Sequence, residues 1–214
     1  MTYHIKKGLL FILLFLFCQL PQGTAFIIGN VGQLNGWNKG LVALLSLIGV
    51  FTLLLIGLAI AKKFELLRSP KGLVSKKNGW LMIASYVVMQ LSSNLLLFFQ
   101  VDNGNHRTTL LNNAFENIPT SALFLCIGIV APILEEIVFR GYIMNNWFKD
   151  SPKIGLLVSI ITFTFAHTPG NIFMVALYSV SSLIFGIVYL KSKRLGTSMI
   201  IHIANNLPAA FSLL

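Results

Sequence analysis

Seven apolar stretches follow one another along this chain, at about 8–28, 40–61, 79–99, 118–148, 154–168, 171–190 and 196–214. Hydrocarbon offers no partner to a backbone amide, so stretches of this kind fold as helices that span or are buried among other helices. The fold class that follows is all-α, a polytopic transmembrane helix bundle of about seven spans. The fourth stretch is longer than roughly 30 Å of hydrocarbon requires, so it must project, tilt or break, with Pro132 as the candidate break. The fifth is short for that thickness and reads as a tilted or partly buried helix.

Charge placement gives the expected topology. Only 10% of the 214 residues are charged, and the formal net charge is +10. With the N-terminus in the cytoplasm and sides alternating at each span, thirteen of the sixteen Lys and Arg residues fall on cytoplasmic segments. Lys39 and Arg107 fall outside, and Arg140 lies within the fourth stretch. This is the positive-inside pattern, and it predicts a protein integral to the cell membrane with a cytoplasmic N-terminus and an external C-terminus. The basic residues therefore mark contact with the lipid bilayer and its anionic headgroups, and no nucleic-acid partner is expected.

Cys18 and Cys126 each sit alone in an apolar run, which excludes a disulfide framework and reads as helix packing. Lys6-Lys7 followed by GLLFILLFLF resembles the start of a signal peptide. The apolar run resumes at AFIIG, so residues 1–25 are read as part of a retained first helix.

The chain reads as one membrane domain, 1–214, in two parts. Residues 1–117 hold three spans, a cytoplasmic loop at 62–79 and an external loop at 100–117 with a short amphipathic helix near its end. Gln90, Ser92, Ser93 and Asn94 are of the type that hydrogen-bond between membrane helices. Residues 118–214 hold every ionisable group expected at bilayer depth, and such groups are normally kept there for function.

Three groups carry that chemistry. Glu135 and Glu136 stand side by side in ILEEIVFRGYIM, with Arg140 four residues after the second. On a helix Glu136 and Arg140 share a face and can pair, whereas Glu135 points about 100° away and is free to face a cavity. His167 ends the run FTFAH, and His202 and Asn206 are again four apart in the last stretch. Imidazole can give or take a proton, and an Asn amide can donate to a developing oxyanion. At about 1.5 Å per residue, Glu135, His167, His202 and Asn206 all fall within a layer about 10 Å thick, which permits them to converge. Phe163 is read as packing, and His4 and His106 are given no role.

The ordered set Glu135-Glu136…Arg140, Phe163…His167 and His202…Asn206 resembles the CaaX-protease and bacteriocin-processing (CPBP, Abi) family of intramembrane proteases. The resemblance covers about residues 118–210. It implies a bundle with an intramembrane polar cavity and hydrolysis of a peptide bond in a membrane-associated, prenylated CaaX-type or bacteriocin-related peptide. In that picture Glu135 and His167 activate water, His202 and Asn206 stabilise the oxyanion, and Glu136 and Arg140 support the first glutamate. A role in bacteriocin self-immunity is also implied. Zn²⁺, held by Glu135, His167 and His202, and a metal-free mechanism are equally open. The alternative is a non-catalytic membrane scaffold or immunity protein that binds a partner. A proton-coupled transporter fits less well, because the ionisable groups are confined to one half and no repeat is visible.

Overall fold

The structure is a computed structural model that describes residues 2–67, 73, 75–99 and 116–212. The expected external loop therefore lies largely outside the described residues, as does part of the 62–79 loop. Among the described residues the secondary structure is helical, in seven helices: α1 (Thr2–Leu34), α2 (Lys39–Lys63), α3 (Lys76–Phe98), α4 (Thr120–Trp147), α5 (Pro152–Ala166), α6 (Ile172–Ser192) and α7 (Leu195–Phe211).

Five of them, α1 to α4 and α6, are long and apolar enough to cross a membrane by length and composition. The other two, of 15 and 17 residues, are shorter than the roughly 20 residues a perpendicular crossing takes. Local chemistry sets several ends. Asn38, Ser75 and Asn171 each accept a hydrogen bond from the N–H three residues on, capping α2, α3 and α6. The α1–α2 turn closes on Gly36 at φ +65°, a left-handed backbone that glycine adopts without strain.

Helix α4 is the axis of the bundle. Two thirds (67%) of its apolar window is buried, against at most 28% in the other four spans. It packs against α1, α2, α5 and α7, while α6 closes on α3, α5 and α7. Apolar side chains on α1, α2 and α3, including Leu13, Phe51, Val88 and Leu91, point outward as a lipid-facing surface. Gly57 of α2 admits the Leu134 side chain where a Cβ would stand, so α2 and α4 approach closely just before the glutamate pair.

The expected break at Pro132 does not occur. Helix α4 runs on for 28 residues and instead widens into π-helical turns at Cys126–Val130 and Ile137–Trp147. A proline ring inside a regular helix collides with the carbonyl four residues back, and a wider turn moves that carbonyl away. Between the two wide segments lies the single α-helical stretch Ala131–Glu136, which carries both glutamates.

Candidate active site

Arg140 anchors the buried side of the site. Its side chain is fully buried, as is that of Glu136, and Nη1 donates to Glu136 Oε1 at 2.8 Å. Nη2 donates to the carbonyl and hydroxyl of Ser182 on α6, at 2.9 and 2.8 Å. The guanidinium lies over the rings of Phe163 and Phe185, 4.9 and 5.3 Å from their centroids. A cation is tolerable at this depth because nearly every face of it meets a partner.

Glu136 Oε1 also meets His202 Nδ1 at 3.0 Å. An oxygen already accepting from Arg140 is an acceptor for the histidine too, so the network assigns the proton to Nδ1. Nε2 of His202 then faces Glu135 Oε2 at 3.6 Å. His167 is built the same way. It ends α5, its Nδ1 donates to the Phe163 carbonyl at 2.8 Å, and its Nε2 faces Glu135 Oε2 at 3.9 Å. Phe163 thus does more than pack: its ring supports Arg140 and its carbonyl orients His167. Tyr178 of α6 stacks on the His167 ring, with centroids 4.5 Å apart.

Glu135 faces away from this network, in which Glu136 Oε2 and Arg140 Nε are themselves buried without a hydrogen-bond partner. Glu135 Oε2 is buried and has no hydrogen-bond partner, and the residue lines a cavity of about 580 Å³. Asn206 and His167 line the same cavity, while His202 is almost fully buried and does not line it. A buried carboxylate oxygen with two imidazole nitrogens just beyond hydrogen-bond range is a place where a small polar molecule can be held and deprotonated. A larger cavity, about 870 Å³, lies between the α1–α2 turn and the start of α4, and none of these residues lines it.

Two imidazole nitrogens and a carboxylate, with each far nitrogen held by an oxygen, are the right donor types for zinc. The spacing is wide, however. Bonds of about 2.0–2.1 Å place neighbouring tetrahedral ligands roughly 3.4 Å apart, against 3.6 and 3.9 Å here. Among the described residues no three His, Cys, Asp or Glu side chains are arranged to hold a metal ion.

The first spans supply more of the site than their sequence suggests. Gln19 and Gln22 of α1 line the cavity, and Gln90 of α3 donates to Asn205 Oδ1 at 3.4 Å. Two amides three residues apart in an apolar run were the available signal for the α1 pair. Ser92 bonds within its own helix, to the Val88 carbonyl. His4, given no partner from sequence, accepts from Trp147 Nε1 at 3.2 Å.

Comparison with known proteins matches residues 117–208 to the family model described as type II CAAX prenyl endopeptidase Rce1-like. The membrane-embedded CAAX protease MroQ of Staphylococcus aureus is 29% identical over 177 residues, 76% of this chain and 68% of that protein. The chain is thus similar, over these segments, to CAAX-protease proteins, the group its motifs resemble. The UPF0177 protein YxdF of Lactococcus lactis subsp. lactis is 28% identical over 62% of this chain and 75% of its own length. UPF0177 protein YaiH of the same organism is 35% identical over 39% of this chain, which spans only 34% of that protein. No solved structure gives a significant match. The segment matched by the family model contains every residue of the Glu135–His167–His202–Asn206 group.

Proposed function

We propose that this protein is an intramembrane endopeptidase in which Glu135 and His167 activate water and His202 and Asn206 receive the oxyanion. The observation that carries the reading is the convergence of His167 Nε2 and His202 Nε2 on Glu135 Oε2, at 3.9 and 3.6 Å, beside a cavity that Asn206 also lines. His167 has its Nδ1 proton committed to the Phe163 carbonyl, so Nε2 accepts a hydrogen bond from the water and orients it. Glu135 takes a proton from that water as its oxygen attacks the peptide carbonyl carbon. The carbonyl electron pair moves to oxygen, where Asn206 Nδ2–H donates. His202 donates from Nε2 only with both nitrogens protonated, and the Glu136 carboxylate at its Nδ1 supplies the counter-charge. Collapse breaks the C–N bond, the proton on Glu135 passes to the leaving nitrogen, and acid and amine result.

The substrate proposed is a membrane-associated peptide: prenylated CaaX-type, in line with the names of the family model and MroQ, or bacteriocin-related. A part in bacteriocin self-immunity would follow from the second. The test compares wild type with Glu135→Gln, purified in detergent, on prenylated CaaX peptides, bacteriocin leader peptides and other membrane-tethered peptides. Wild type is expected to cleave at least one class. Glu135→Gln is expected to lose at least about a hundredfold, the scale of general acid–base catalysis, with thermal stability unchanged. Absence of cleavage by wild type across the panel, with Glu135→Gln markedly less stable, favours the non-catalytic scaffold instead.

A further inference from the structure

Pro132 removes one backbone N–H from the middle of α4, and the consequence is felt on another helix. In the wide turn Cys126–Val130 the hydrogen bonds reach five residues back, as in Ala131 N–H to the Cys126 carbonyl. The next bond in that series runs from residue 132 to the Ile127 carbonyl, and proline has no N–H to give. The Ile127 carbonyl accepts instead from Asn206 Nδ2, 3.2 Å away on α7. A backbone carbonyl can only accept, so the contact also fixes which end of the carboxamide faces it. Asn206 Oδ1 accepts from Asn205 Nδ2 at 3.3 Å, and Asn205 Oδ1 accepts from Gln90 Nε2 at 3.4 Å. The carboxamide is thereby held at both ends, with the second hydrogen of Nδ2 left over at the cavity wall.

We propose that Pro132 is a positioning residue for Asn206: the carbonyl it leaves without a backbone donor holds the Asn206 carboxamide in the cavity. An alanine at 132 brings the N–H back. If α4 keeps its wide turn, residue 132 donates to the Ile127 carbonyl. If α4 relaxes to regular helix, residue 131 does so. Either way the Ile127 carbonyl gains a backbone donor that competes with Asn206 for it and loosens the carboxamide at that end. The consequence for rate rests on the oxyanion role proposed above for Asn206, whereas the hydrogen-bond coupling does not.

The experiment is a double-mutant cycle on the full chain: wild type, Pro132→Ala, Asn206→Ala and the pair. Thermal unfolding is read on all four, with kcat and KM for the best-cleaved prenylated or leader peptide. Asn206→Ala is expected to lower Tm when residue 132 is proline, because the part-buried Ile127 carbonyl loses its side-chain donor. Its effect is expected to fall to less than half when residue 132 is alanine. Pro132→Ala is expected to lower kcat roughly tenfold or more with KM kept, since it disorients an oxyanion donor, and adding Asn206→Ala is expected to cost little more.

Equal Tm effects of Asn206→Ala in both backgrounds overturn the proposal, and so does wild-type kcat in Pro132→Ala. If wild type cleaves nothing, the protease reading fails, and the Tm cycle still decides the coupling. A Pro132→Ala protein that folds only when Asn206→Ala is also present supports the coupling. One that folds in neither background shows a structural role for Pro132 in its own right and overturns it.

Discussion

Arg140 ties three helices to one charge. It pairs with Glu136 on its own helix, reaches Ser182 on α6 and, through Glu136, holds His202 on α7. Removing one member of a buried pair strands the other, at a cost of about 3–5 kcal/mol. Arg140→Ala is therefore expected to lower Tm and detergent-extracted yield sharply. Arg140→Lys is expected to fall between Arg140→Ala and wild type, because an ammonium cannot serve Glu136 and Ser182 from one rigid plane. Glu135→Gln, by contrast, is expected to leave Tm unchanged. The Glu136–Arg140 pair was legible from a spacing of four, as was the turning of Glu135 away from it. The bond from Glu136 to His202 was not, because 66 residues separate the partners and only the packed bundle brings them together. The same holds for Ser182, a hydroxyl that nothing in its own segment distinguishes from a packing serine.

Helix α4 departs from regular geometry on either side of the stretch Ala131–Glu136, which is itself regular α-helix. Two wide turns flank the glutamates, and α2 is drawn against that stretch by the missing side chain of Gly57. Gly57→Val is expected to destabilise by about 1–3 kcal/mol through overpacking against Leu134. It is also expected to lower cleavage more than an equally destabilising change remote from α4. Thermal unfolding and activity measured on the same preparations check both. The helices themselves were legible from hydropathy, since length and composition are local properties. The wide turns were not. The local sequence does not distinguish a proline that breaks a helix from one that widens it, and the donor that meets the Ile127 carbonyl, Asn206, comes from the last helix.

In the molecule as a whole, the charge pattern puts segments 149–153 and 191–194 on one side of the membrane, which holds for a crossing α6 only if α5 crosses too, and it puts the C-terminus outside only if α7 also crosses, despite the length of both. A reporter joined after residue 214 is expected to be external and one joined before residue 1 cytoplasmic; both on one side would remove a crossing and revise the topology. Gln19, Gln22 and Gln90 also belong to this scale, because α1 forms part of the cavity wall and α3 bonds to Asn205, although the site residues lie in the other half of the sequence. Helix α5 has a further consequence. Its fifteen residues give about 22 Å at 1.5 Å each, well short of roughly 30 Å of hydrocarbon. A thinner bilayer meets the end that bears His167 with less mismatch than a thick one. Cleavage is therefore expected to quicken in vesicles of short-chain phosphatidylcholine and slow in long-chain ones, so that hydrophobic mismatch sets the pace of the reaction and membrane thickness becomes a means of regulating it.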